Sequence, residues 1–76
     1  MLFNNRLKAL REDKDMTQIE LAKIFHITGT TVGNYETGYR TPNIYLVAKI
    51  ADYFNVSTDY LLGRTDIPTP YPKKHK

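Results

Sequence analysis

Apolar residues return at helical intervals along most of this chain. Phe3, Leu7 and Leu10 stand at i, i+4 and i+7, with Arg6, Lys8, Arg11 and Glu12 between them, which predicts one buried stripe on a first helix ending near Lys14. Asp13 to Asp15 is the turn. Thr17 followed by Glu20 is a capping box, in which hydroxyl and carboxylate satisfy backbone N–H groups that helix geometry leaves unpaired. It predicts a second helix from about Gln18 to Phe25, with Leu21, Ala22 and Phe25 inward and small Ala22 allowing a neighbour to approach closely. His26 and Ile27 form the connection. Thr28 starts a third helix that buries Val32 and Tyr35 and stops at Gly38, where glycine can take the left-handed conformation that often ends a helix. A fourth begins around Pro42 and Asn43, either with Thr41 as cap and Pro42 in the first turn or with Asn43 as cap, and turns Val47, Ile50, Ala51 and Phe54 inward before ending near Asn55. Ser57 caps a short fifth helix, with Asp59 in its positive first turn, Leu61 and Leu62 inward and Gly63 closing it. The expected fold class is all-α.

After Asp66 the pattern breaks. Ile-Pro-Thr-Pro-Tyr-Pro-Lys-Lys-His-Lys cannot continue a helix and favours an extended chain, so residues 1–66 are expected to form one domain. Residues 67–76 are then a flexible proline/lysine-rich tail, or a truncated linker to a second domain. The prolines fall at every second position, which excludes a Pro-x-x-Pro ligand. A chain of 76 residues buries too little to enclose a deep substrate cavity, which speaks against an enzyme. No serine, histidine and acid arrangement and no glycine-rich phosphate loop can be argued from spacing. There is no cysteine, hence no disulfide and no thiolate metal site, and His26 has no second ligand at metal spacing. No cofactor or metal is expected. The sequence contains neither a signal-peptide pattern nor an apolar run of membrane length, so the expectation is a soluble, cytoplasmic protein.

Charge says less than it first suggests. The formal net charge is +3, yet residues 1–66 hold eight Lys or Arg and eight Asp or Glu. Lys73, Lys74 and Lys76 carry the surplus, so attraction of the folded part to phosphate has to come from the placement of charges on its surface.

The chemistry lies in the stretch from Thr17 to Pro42, two short helices joined by a tight connection, an arrangement that can push one helix into the DNA major groove. At about 100° per residue, Val32 and Tyr35 point inward while Thr30, Gly33, Asn34 and Thr37 share the opposite arc of the third helix. Asn34 can pair bidentately with adenine, and Thr30 offers a hydroxyl to a base and a methyl to thymine. Those two are the candidates for base reading. Thr28 stands at a helix start, where exposed N–H groups suit phosphate, and Lys23 adds an exposed charge on the second helix.

Thr17-Gln18-x-Glu20-Leu21-Ala22, then Thr31-Val32-x-x-Tyr35-Glu36-x-Gly38-x-Arg40-x-Pro42, then Ile50-Ala51-x-x-Phe54-x-Val56-Ser57-x-Asp59-Tyr60-Leu61-Leu62-Gly63 resembles the lambda repressor-like, Cro/C1-type helix-turn-helix family, also called xenobiotic-response-element regulators. The likeness covers about residues 3 to 64. It implies a compact five-helix DNA-binding domain with the helix-turn-helix at helices two and three, binding to double-stranded operator DNA usually as a homodimer, and transcriptional control, more often repression. It carries phosphate contact onto Gln18 and onto Thr37, Tyr39, Arg40 and Thr41 after the third helix. It also implies a structural ion pair between Arg11 and Glu36. Gly29 and Gly33 depart from the bulkier or more polar residues usual in the family. Gly33 then either admits the helix backbone close to the groove wall, or is a weakly specifying position that leaves sequence preference to DNA shape and phosphate contacts.

Oligomerisation by this fold sets two domains on half-sites about one DNA turn apart. Tyr60, Ile67 and Tyr71 are the apolar candidates for a dimer surface, and a core role for Tyr60 is equally open. Tyr35, Tyr53 and Tyr60 fall at or beside apolar helix positions, which favours core or interface over stacking on single-stranded bases. The competing reading uses the same fold as a protein-interaction module, an antitoxin or a regulator governed by a protein partner. Near-neutral charge over residues 1–66 favours it, and the polar arc with Asn34 favours operator DNA.

Overall fold

Five α-helices organise the described residues, 2–70 and Pro72, of this computed structural model, and no strand occurs among them: α1 (Phe3–Asp13), α2 (Gln18–Ile24), α3 (Gly29–Thr37), α4 (Ile44–Tyr53) and α5 (Thr58–Leu61). Side chains start four of them. Thr17 Oγ1 accepts from Glu20 N at 3.1 Å while Glu20 Oε1 accepts from Thr17 N at 2.8 Å, completing the capping box of α2. Thr28 caps α3 and Ser57 caps α5. Of the two caps open for α4, the structure takes Asn43, whose Oδ1 accepts from Leu46 N at 2.9 Å, while Pro42 is buried ahead of it. α1 starts at Leu2 without a side-chain cap.

The helix ends follow one rule. A left-handed residue stands after every helix: Asp15 (φ 54°), His26 (57°), Gly38 (81°), Asn55 (56°) and Gly63 (80°). After α1, α2 and α4 the next residue's N–H returns to a carbonyl in the last turn, Met16 to Arg11 at 3.2 Å, Ile27 to Ala22 and Val56 to Ala51 both at 3.0 Å. That pattern satisfies carbonyls left unpaired at a helix end. It also swings an apolar residue inward each time: Val56 is buried, and Met16 and Ile27 pack against the core. These closures shorten α2 relative to expectation, so Phe25 is its cap rather than its last residue, and α4 likewise ends at Tyr53 with Phe54 as cap.

The core joins Leu7 of α1, Leu21 and Ala22 of α2, Val32 of α3, Val47, Ile50 and Ala51 of α4, Phe54, Val56 and Leu61. α3 packs on α1 and α2, while α5 contacts α4 and α1. Leu61 is fully buried, but Leu62, expected beside it, is 40% exposed. A helix of four residues has one inward direction, and the next position, about 100° further round, leaves it. Tyr53 is 41% exposed and meets the rings of Phe25 and Phe54 edge-on, with centroids 5.8 and 5.1 Å away.

Arg6, placed by periodicity among the polar residues of α1, is instead buried at 5% exposure. Its Nη1 donates to the carbonyls of Tyr60 and Thr65, each at 3.0 Å, and its Nη2 to Asp66 Oδ1 at 3.1 Å. The guanidinium lies 3.9 Å from the centre of the Tyr60 ring, a cation–π geometry. Beyond it, the carbonyl of Pro68 accepts from Ser57 N at 3.0 Å, and Pro70 lines a groove with residues of α4 and the start of α5. Tyr71 and the lysines at 73, 74 and 76 lie outside the described residues.

Candidate nucleic-acid interface

Packing against α1 and α2 leaves α3 with one free arc. Val32 is 1% exposed and Tyr35 packs on the core. The periodicity of the helix therefore turns Thr30, Gly33, Asn34 and Thr37 outward, and these four line a shallow concavity with Gly29 and with Gln18 and Ile19 of α2. Thr30 and Thr37 are exposed and Asn34 is half-buried. Asn34 also borders a second depression formed with Thr31, Tyr35, Arg40 and Thr41, so its side chain stands on the ridge between the two.

The loop after α3 is tied to that ridge. The Asn34 carbonyl accepts from Thr37 Oγ1 at 3.2 Å and from Arg40 N at 3.1 Å. Tyr39, Arg40 and Thr41 are exposed, with Tyr39 at 78%. Thr28 Oγ1 is engaged locally, accepting from Thr31 N and sharing a 2.9 Å hydrogen bond with Thr31 Oγ1. Lys23 is exposed on α2 but is not among the residues that line the concavity.

Beneath this face runs an ionic brace. Arg11 Nε donates to Glu36 Oε2 at 2.6 Å and Arg11 Nη2 to Glu36 Oε1 at 3.0 Å, while Arg11 Nη1 donates to the Met16 carbonyl at 2.6 Å. The side chains are 11% and 3% exposed. Hydrogen bonding to Glu36 raises the Arg11 pKa further above its already high ordinary value, so the guanidinium stays charged across the physiological range. Gln18 Nε2 also donates to Glu36 Oε1, at 3.2 Å. One carboxylate thus holds α1, α3 and the first residue of α2 together.

Of the dimer candidates, Tyr60 is partly buried against the core and stacked by Arg6. Ile67 is 67% exposed, and Tyr71 lies outside the described residues. Sequence reasoning passed over Ile19, which is 63% exposed within the concavity. The available signal was its absence from the inward set Leu21, Ala22 and Phe25. No helix among the described residues is long and apolar enough to cross a membrane.

Comparison with known proteins gives the family and the fold. The helix-turn-helix family model matches residues 7–61. Over 67 residues, 88% of this chain and 53% of the relative, the chain is 39% identical to the HTH-type transcriptional regulator ImmR of Bacillus subtilis (strain 168). It is 33% identical over 69 residues to the HTH-type transcriptional activator BcrR of Enterococcus faecalis, covering 91% of this chain and 34% of the relative. The chain therefore spans about half the length of the first relative and about a third of the second. Among solved structures, the P22 c2 repressor protein in complex with a synthetic operator superposes with a TM-score of 0.76 at 24% identity, over 82% of this chain and 94% of that one. That likeness shows the fold.

Proposed function

Since this chain belongs to the helix-turn-helix family, we propose that it is a sequence-specific regulator of transcription that binds double-stranded DNA, a repressor of phage, prophage or bacterial type acting in the cytoplasm. The supporting observation is the free polar arc of α3, set in a shallow concavity that Gln18 and Ile19 at the start of α2 also line. A helix so exposed can enter the major groove while its neighbour crosses the backbone.

In this reading Asn34 and Thr30 contact base edges, and Gly33 lets the α3 backbone approach the groove wall. Gln18, Thr28, Thr37, Tyr39, Arg40 and Thr41 hold phosphates, with Lys23 on the flank. Arg11 and Glu36 do not touch DNA but fix the angle at which α3 is presented. Residues 1–66 are the DNA-binding unit, and residues 67–76, which begin still tied to it through Pro68 and Ser57, follow as a tail or a truncated linker. The operator is a pseudo-palindrome bound by a homodimer, formed in solution or on DNA, with Tyr60, Ile67 and Tyr71 at or near its interface.

Selection from a random duplex pool at fixed, near-physiological salt tests this, with wild-type and Asn34→Ala protein run in parallel. An enriched pseudo-palindrome that loses one adenine preference in the variant, worth about 1–3 kcal/mol, is the expected result. Absence of enrichment by the wild type would turn the assignment to a partner-dependent interaction module.

A further inference from the structure

Two positions one turn apart on the exposed arc of α3, Gly29 and Gly33, have no side chain, and the start of α2 borders both. Ile19 of α2 lies over the first: a Cβ built on Gly29 would meet Ile19 Cγ1 at 3.0 Å. Gln18 only flanks the second, with its carboxamide 3.6 Å from where a Gly33 Cβ would stand, an ordinary contact distance, and its Nε2 held by Glu36. At Gly29 the first turn of α2 therefore supplies surface where α3 supplies none, while Gly33 is left uncovered.

Ile19 is the unusual member of this pair. It is a large apolar side chain, 63% exposed, while the inward face of its helix is already filled by Leu21 and Ala22. A β-branched residue in a helix is held to essentially one χ1 rotamer, and contact with Gly29 fixes it further. The result is an apolar group at a defined place beside Thr30 and Asn34 in the same concavity. Of the base edges in the major groove, thymine alone offers an apolar partner, its 5-methyl group.

Building on the operator-binding reading above, we infer that Ile19, seated on Gly29, is a specificity-determining residue that contacts a thymine 5-methyl group. The recognition surface is then composite. Asn34 and Thr30 read from α3, and an α2 side chain reads at the position where α3 has only a hydrogen atom.

Replacing thymine by deoxyuracil, one position at a time, in the half-site selected by the wild type removes only the methyl group. Wild-type protein should lose affinity by about fourfold at one such position, the equivalent of one buried methylene-sized group. Ile19→Ala should bind the thymine and deoxyuracil duplexes equally, with circular dichroism and Tm unchanged because the position is exposed. Thr30→Ser, which removes the Thr30 methyl group from this face, should keep the wild-type penalty at the thymine that Ile19→Ala no longer senses. An undiminished penalty in Ile19→Ala, or no thymine in the half-site that responds, overturns this inference and leaves operator binding standing. If the wild type enriches no sequence, operator binding fails and the inference fails with it.

Discussion

Glu36 accepts hydrogen bonds from Arg11 Nε, Arg11 Nη2 and Gln18 Nε2, so a single side chain orients the helix that carries the proposed base contacts. Glu36→Ala leaves the mostly buried guanidinium of Arg11 with only the Met16 carbonyl. Breaking a buried pair in this way should cost about 3 kcal/mol and lower Tm by on the order of 15 °C in a domain of this size. An unchanged melting curve would mean that the pair plays no structural part. Both members could be named from sequence, but only through a resemblance, since 25 positions separate them and no periodicity links them. Arg6 had no such guide. Its place on α1 reads as polar, and the carbonyls that draw it inward belong to residues whose position relative to α1 no local pattern encodes. Ile19 escaped for the opposite reason, because an apolar residue is expected to be inside and only its place outside the inward set of α2 pointed the other way.

At the scale of the elements, starts were more legible than ends. Caps announce themselves by residue type, and Thr17, Thr28 and Ser57 occupy their expected places. Ends were legible where glycine marks them, at Gly38 and Gly63, and missed by a residue or two at α2 and α4, where the left-handed position is filled by His26 and Asn55. Histidine at that φ carries a Cβ penalty that glycine avoids. His26→Gly should therefore stabilise the domain by on the order of 1 kcal/mol, read as a Tm several degrees higher; a lower Tm would show that the imidazole makes a compensating contact. The α2 cap has its own pH signature. Hydrogen bonds from the Thr17 backbone N–H and then its hydroxyl hold the Glu20 carboxyl below its ordinary value. A carboxyl lowered by folding stabilises fully above the unfolded value, about 4.3, and loses that contribution as pH falls through the folded one. Glu20→Gln can still accept the cap bond but does not titrate, so its Tm deficit relative to wild type should shrink as pH is lowered below about 4. A deficit independent of pH would remove the carboxylate from the account.

For the whole molecule, the family match over residues 7–61 and the all-helical fold agree with the linked motifs read from the sequence. Composition contributed little, because the folded part balances eight basic against eight acidic residues. The concavity of the proposed interface was not legible at all, since it arises from how α2 is set against α3. Nor was the return of the chain after α5, where Pro68 meets Ser57 and Arg6 grips Thr65 and Asp66. The Arg6 clasp carries a consequence for the rate at which the protein comes apart. Its partners lie 54 to 60 positions along the chain, so forming it means closing nearly the whole polypeptide into a loop, whereas the α2 and α3 contacts need only short closures. The clasp should be absent from the folding transition state and act as a brake on escape from the native state. Arg6→Met should then speed unfolding in stopped-flow denaturant jumps, on the order of tenfold for lost bonds from a charged donor, and leave the refolding rate unchanged. Slower refolding by a similar factor would place the closing of the two ends among the first events of folding.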